Sequence, residues 1–347
     1  VSDARRFAAA DALVRAEVGR RYTGAVLRVE RNGRAVFESA YGALDAEGGA
    51  PVEVTSRFDL ASLTKLFVAA LVLAAAADGV LALDEPAARF LREWRTPAHA
   101  SITPRLLLAH SAGLASGADY RTLFGEDVER FARERELVAA PGERVIYSDL
   151  GFIVLGTLVA RARGSSLAHT WAAFGEKLGC EATDYRVRRG DPAAFPATEL
   201  CAWRGRVRGA VHDEKAYLMN GVAGHAGLFG TARDVAALAE VFLAAANGRP
   251  QNVLPDDLAR AAVAEAAPDP VLRRGLGFAL KTTDENSCGA LMDRASFGHT
   301  GFTGTSVWAD PTRELSVTFL TNAVYFGRGD LRDVRAAVCD ACVKATA

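Results

Sequence analysis

The chain has 347 residues, half of them apolar and 24% charged, with a formal net charge of −1, so it can bury a large core and reads as a globular protein of two structural lobes. No long basic run appears, which argues against nucleic acid or an anionic membrane surface as a partner. The longest apolar stretch, residues 66–77, is shorter than the roughly 20 residues a membrane span needs and is expected to be a buried helix.

In chain order, residues 4–18 have helical spacing, and residues 25–30 and 34–41 alternate around Asn32-Gly33, a strong hairpin signal. Phe58-Asp59-Leu60-Ala61 leads into a helix that opens at Ser62 and stops near Asp78-Gly79. Residues 80–190 read as mostly helical, with Pro86, Pro97, Pro104 and Pro141 marking starts and breaks; helices are expected over 102–110 and 151–162. Residues 195–230 are irregular and glycine-rich, and a helix follows over 232–246. Strands are expected over 277–282, 303–309 and 315–321, with Asp310-Pro311 as a turn, before a last helix over 331–344. Strands at both ends and helices between them predict an α/β lobe from residues 1–79 and 195–347, with a mainly helical lobe, 80–194, inserted.

Cys180, Cys201, Cys288, Cys339 and Cys342 are an odd, scattered set that does not resemble a disulfide framework. Cys339 and Cys342 are read as small residues on one helix face. The chain starts at Val1 without an apolar leader, as a trimmed chain would; location is left open, leaning to periplasm or secretion over cytoplasm.

Three short clusters carry the chemistry. Ser62-Leu63-Thr64-Lys65 places a hydroxyl and an amine three residues apart at a helix start, where they share a face and free backbone N–H groups suit a developing oxyanion. Ser62 is therefore the expected nucleophile and Lys65 its base. Tyr147-Ser148-Asp149 follows a proline-glycine turn, and the Tyr147 phenol can relay the serine proton to a leaving group. His299-Thr300-Gly301 is expected to begin a strand whose edge holds substrate backbone, with the amides of Ser62 and Phe302 forming the oxyanion hole. His225 lies in a glycine-rich loop that can border a cleft. His212-Asp213-Glu214 lacks a second ligand cluster and is assigned a structural hydrogen-bonding role, and His110 a helix C-terminus. No G-x-S-x-G or phosphate loop occurs, and neither metal nor cofactor is expected.

With these clusters, Leu106-Leu107-Leu108-Ala109-His110-Ser111-Ala112-Gly113-Leu114, residues 221–229 and Gly298-His299-Thr300-Gly301-Phe302-Thr303-Gly304, the chain resembles the serine β-lactamase and penicillin-binding protein superfamily. The resembling branch is the class C type, with D-alanyl-D-alanine carboxypeptidases and family VIII esterases. The resemblance implies an α+β fold: a five-stranded antiparallel sheet flanked by helices, an all-helical lobe alongside and the active site between them. It also implies an acyl-enzyme on Ser62, Lys65 and Tyr147 sharing the proton traffic, and Asp149, His225, His299, Thr300 and Gly301 around the substrate. Two residues depart from the family pattern: Asp149 stands where asparagine is usual, and His299 where many β-lactamases have lysine. Val211-His212-Asp213-Glu214 together with Gly224-His225-Ala226-Gly227 resembles a subgroup that includes muramyl-peptide amidases. The expected activity is hydrolysis of a small-molecule or peptidoglycan-derived ester or amide, by an esterase, D,D-peptidase or muramyl-peptide amidase. A transacylase, a β-lactamase and a non-turnover penicillin-binding sensor are the alternatives, and the oligomeric state is left open.

Overall fold

The computed structural model describes residues 5–185, 191–267, 269, 271 and 273–347. Helix α1 (Ala8–Glu17) precedes the hairpin β1 (Gly24–Arg31) and β2 (Arg34–Gly42), whose turn residues Asn32 and Gly33 both take positive φ, 52° and 70°. The two-residue strand β3 (Phe58–Asp59) leads through a 3₁₀ turn, Ala61–Leu63, into α2 (Thr64–Ala77). The next stretch holds α3 (Pro104–Leu108), α4 (Val128–Glu134), α5 (Asp149–Arg163) and α6 (Leu167–Leu178). Helix α5 starts where the Ser148 hydroxyl accepts from Gly151 N at 3.0 Å and stops at left-handed Gly164. Then come β4 (Leu200–Cys201), β5 (Gly205–Arg206), α7 (Glu214–Leu218), β6 (Phe229–Gly230), α8 (Ala232–Ala246), capped by Thr231, and α9 (Asp256–Val263). Strands β7 (Ala279–Leu280), β8 (Phe297–Thr300), β9 (Ser306–Asp310) and β10 (Leu315–Thr321) and helix α10 (Arg332–Thr346) complete the chain.

The main sheet is antiparallel throughout, in the order β2-β1-β10-β9-β8-β7, so strands from both chain ends lie side by side. Its inner strands are buried on both faces. Ala25, Leu27, Val29, Val317, Phe319 and Trp308 pack in one core cluster with residues of α1 and α10, while Val26, Val307, Ala309 and Leu320 join the other with residues of α8. Helix α2 buries every residue from Thr64 to Ala75 and packs on α5 and α6. Close approach demands a glycine where the 221–227 loop crosses α5: a β-carbon at Gly224 would collide with the Phe152 carbonyl oxygen.

The structure corrects several expectations. The sheet has six strands, because the two-residue β7 adds to the five of the resemblance. His299 does not begin a strand. It lies near the end of β8, and the following strand starts at Ser306, because residues 301–304 turn, with Gly301 N donating to Thr305 O at 2.7 Å and Gly304 at φ 109°. Residues 80–148 are less helical than their composition suggests. Thr103 caps α3 with Pro104 in its first turn, and His110 at φ 57° stops it early. Helix α9, which the sequence reading passed over, fills part of the span before β7. Among the described residues no single helix is long and apolar enough to cross a membrane, and all five cysteines are free.

Candidate active site

Ser62 sits on a turn pinned from several directions. Ala61 takes the left-handed φ of 46°, costly by about 1–3 kcal/mol for a residue with a β-carbon. Its amide donates to Asp59 Oδ1 at 2.8 Å, while Asp59 Oδ2 accepts from His212 N at 2.6 Å. Burial pushes the fully enclosed Asp59 carboxyl up to about 6 against these two bonds. The hydroxyls of Thr303 and Thr305 donate to the carbonyls of Asp59 and Leu60 at 2.8 and 3.1 Å, which ties the turn after β8 to the nucleophile strand. Gly301 completes this contact: a β-carbon there would lie 2.6 Å from Leu60 O. Arg335, nearly buried, donates to the carbonyls of Gly301 and Thr305 at 2.8 and 3.1 Å. The segment carrying the Phe302 amide is thus held against the one carrying Ser62.

Lys65 is completely buried in α2, and its ammonium meets three acceptors. Its Nζ lies 3.0 Å from Ser62 Oγ, 3.1 Å from the His225 carbonyl and 2.9 Å from Asp149 Oδ1. Three acceptors match the three protons of –NH₃⁺. Burial alone would lower the Lys65 pKa, but Asp149 and then Tyr147 outweigh it, and the net shift is upward.

The carboxylate of Asp149 belongs to a closed ring. Its Oδ2 lies 3.3 Å from Lys215 Nζ, Lys215 is 3.2 Å from Asp213 Oδ2, and His225 Nε2 donates to Asp213 Oδ1 at 2.8 Å. The His225 carbonyl returns to Lys65. Burial raises the Asp149 and Asp213 carboxyls, but Lys65 for the former and His225 for the latter, with Lys215 behind both, bring them below the ordinary range. Asp149, Asp213 and His225 place three ligand-type atoms within 4.8 Å of one another. The cationic positions around these carboxylates are filled by the two ammonium groups, so the cluster is an ion-pair ring. Asp213 also caps α7 by accepting from Ala216 N at 2.8 Å, the structural bonding expected of the His212-Asp213-Glu214 triplet.

Tyr147 lies under this ring, with Lys65 Nζ 4.9 Å from its ring centroid. Rings of His110 and His299 flank it at 4.6 and 5.8 Å, and the Arg274 guanidinium sits 5.1 Å from its centroid. His110 is more than a helix end: its Nδ1 accepts from Ser148 N at 3.0 Å and so positions the Tyr147 loop. His299 donates from Nδ1 to Thr300 O at 2.7 Å, and burial, then Arg274, depress its pKa to about 3, so the ring is neutral. Strand β7 pairs only with Phe297 and Gly298, which leaves the β8 edge open at His299 and Thr300. Ser62, Tyr147, His299, Thr300, Gly301 and Phe302 all line one cleft of about 920 Å³. The structure therefore brings together the residues singled out from the three clusters; His225, expected to border the cleft, is instead buried behind it and tied to the site by its carbonyl, which accepts from Lys65. Lys215 and Arg274 escaped the sequence reading. Lys215 adjoins the triplet 212–214 and could have been flagged as its counter-charge; Arg274 carries no local signal.

The Beta-lactamase family profile matches residues 10–340. The chain is 29% identical to N-acetylmuramyl-L-alanine amidase of Bacillus subtilis (strain 168), over 90% of this chain and 80% of the relative. It is 31% identical to esterase EstB of Burkholderia gladioli, over 89% of this chain and 88% of the relative. In fold it is similar to a β-lactamase/D-alanine carboxypeptidase from Pseudomonas syringae, with a TM-score of 0.79 at 18% identity over 98% of both chains.

Proposed function

This chain belongs to the beta-lactamase family and is a serine hydrolase of that superfamily, and we propose that it cleaves an ester or amide through an acyl-enzyme on Ser62. The site lies between the terminal lobe, residues 1–79 and 195–347, and the inserted lobe, residues 80–194. The observation that carries the reading is the Lys65 ammonium, 3.0 Å from Ser62 Oγ and saturated by three acceptors. Because Lys65 donates to Ser62, the serine O–H is left to donate to the Tyr147 oxygen, which relays the proton. Ser62 Oγ attacks the carbonyl carbon while the amides of Ser62 and Phe302 hold the oxyanion. As the serine proton passes to the Tyr147 oxygen, the phenol's own proton passes to the leaving amine or alcohol. A water then attacks the acyl carbon, giving its proton to the Tyr147 oxygen while the phenol proton returns to Ser62 Oγ, and the acid is released. Lys65 stays an ammonium throughout, since Asp149 backs it.

Esterase, D,D-peptidase and muramyl-peptide amidase chemistry all use these groups. The amidase and esterase names of the relatives support an ester or amide substrate of small-molecule or peptidoglycan-derived type. Neutral His299 in place of a lysine speaks against a dedicated β-lactamase. The test is intact-mass labelling by a fluorophosphonate, expected at Ser62 and lost in Ser62→Ala. A panel of p-nitrophenyl esters, D-Ala-D-Ala peptides, muramyl peptides and nitrocefin then ranks the substrates. Absence of any adduct on the wild-type protein refutes the nucleophile assignment.

A further inference from the structure

Lys215 is 9% exposed, and among the described residues its ammonium meets carboxylates alone, Asp213 Oδ2 at 3.2 Å and Asp149 Oδ2 at 3.3 Å. The first of these belongs to the cap of its own helix, α7. The second lies outside the helix, on the first residue of α5, directly behind Lys65. Asp149 is thereby gripped at both oxygens, Oδ1 by Lys65 and Oδ2 by Lys215, while its amide donates to Ser116 O at 2.8 Å. Taking a second ammonium out of water is costly, and the spacing of the carboxylates explains why one is kept. An oxygen of Asp149 and one of Asp213 lie within 4.8 Å of each other. Like charges that close in a poorly solvated interior do not both stay ionised without a cation between them. Of the two carboxylates Lys65 pairs with Asp149, whereas Lys215 touches both.

Resting on the reading of Ser62, Lys65 and Tyr147 above, we propose that Lys215 is a positioning residue for the reaction: its charge keeps Asp149 anionic and turned on Lys65, and so keeps the Lys65 ammonium on Ser62. Without that charge Asp149 Oδ2 loses its partner and a proton settles between Asp149 and Asp213. Lys65 is then left with a neutral acceptor where it had a carboxylate. The other charged and titratable groups around the pair do not substitute. His225 is already bonded to Asp213, Asp59 on β3 adds another acid beside Asp213, and the neighbouring Glu214 is paired with Arg328. Arg204 donates to the carbonyls of Val211 and His212, the Tyr147 ring lies against Lys65, and His299 on β8 is neutral.

The experiment is the pH profile of kcat/KM for p-nitrophenyl acetate from about pH 5 to pH 8. In the wild type both carboxylates titrate below their ordinary range, so they add no acid limb in this window. Removing the cation raises the pKa of the pair, and the protonated form then appears at higher pH. Lys215→Met should therefore gain an ascending limb, losing roughly tenfold per pH unit below the raised pKa. Lys215→Arg keeps the charge and should match the wild-type profile. Adding Asp213→Asn to Lys215→Met removes the second carboxylate, keeps a capping side chain on α7 and should abolish the limb. Difference infrared spectra of Lys215→Met at the acid end should show a carboxylic-acid band that the double variant lacks. If Lys215→Met does not fold, Lys215→Gln, which keeps a hydrogen-bond donor and drops the charge, carries the same test. A wild-type profile in the uncharged variant overturns the proposal, as does a limb that survives Asp213→Asn. An equal loss at every pH with a lowered melting temperature also overturns it, as the signature of a structural bridge. Fluorophosphonate labelling of the wild-type protein is run alongside. Its failure counts against Ser62, whereas intact labelling with no acid limb in Lys215→Met counts against Lys215.

Discussion

Replacing Asp149 with asparagine separates a fixed ammonium from a free base at Lys65. In the wild type the carboxylate lies 2.9 Å from Lys65 Nζ, an attraction on the order of 6 kcal/mol at an effective permittivity of about 20, before desolvation is subtracted. Removing one member of a buried pair costs about 3–5 kcal/mol; since the Asp149 side chain is 21% exposed, the lower end is expected. The kinetic consequence has a definite sign. Lys65 has its pKa raised in the wild type because Asp149 and Tyr147 overcome burial, so the ammonium persists through the alkaline range. With asparagine the largest opposing contribution is gone, burial pulls the amine down, and the ammonium is lost at lower pH. The profile of log(kcat/KM) for a neutral p-nitrophenyl ester should therefore gain a descending alkaline limb, with lowered activity on the plateau. Lys215, left with Asp213 alone, adds a second cost, so Asp149→Asn with Lys215→Met should lose less stability in urea than the sum of the two single changes, by about 0.5–3 kcal/mol. An Asp149→Asn variant with an unchanged alkaline side, or with faster acylation from a freed amine, refutes the fixed-ammonium mechanism.

Tyr147→Phe should slow labelling of Ser62 by a fluorophosphonate about 10²- to 10⁴-fold, the usual contribution of a positioned proton carrier, with the melting temperature little changed; labelling at the wild-type rate removes Tyr147 from the mechanism. Gly301→Ala should destabilise by about 1–3 kcal/mol and depress kcat, because the new methyl drives the Phe302 segment away from Leu60 and Ala61; crystals of the variant with the segment unmoved would contradict this. His299→Gln should flatten the acid side of the stability profile. The folded imidazole titrates at about 3 and the unfolded one near 6.5, so between those values the unfolded chain binds the extra proton and wild-type stability falls by about 1.4 kcal/mol per pH unit as pH drops. Urea denaturation at pH 7 and pH 5 measures the slope, and an identical slope in the variant shows that His299 is not buried neutral.

What was legible beforehand depended on how far apart the cooperating residues lie. The hairpin at Asn32-Gly33 and the helix Ala232–Ala246 needed only a turn signal, a Thr231 cap and apolar spacing, all local. The reach from Lys65 to Ser62 is likewise a property of helical pitch. Boundaries failed where a distant group intervened. The strand at His299 ends rather than begins because Gly301 must lie flat on Leu60, which is 241 positions away in sequence and invisible to any window around residue 301. Helix α3 stops early because His110 turns back to receive Ser148 N.

Taken alone, the order of residues determined the short-range pieces: a hydroxyl and an amine one helical turn apart, a capped helix after the tyrosine, and alternating strands at both ends. Folding decided what surrounds them. Lys215 closes a ring through Asp149 and Asp213, and the Arg274 guanidinium comes to lie 5.1 Å from the Tyr147 ring centroid. Those facts depend on which charges are removed from water together, and desolvation is a property of the packed interior rather than of any stretch of chain.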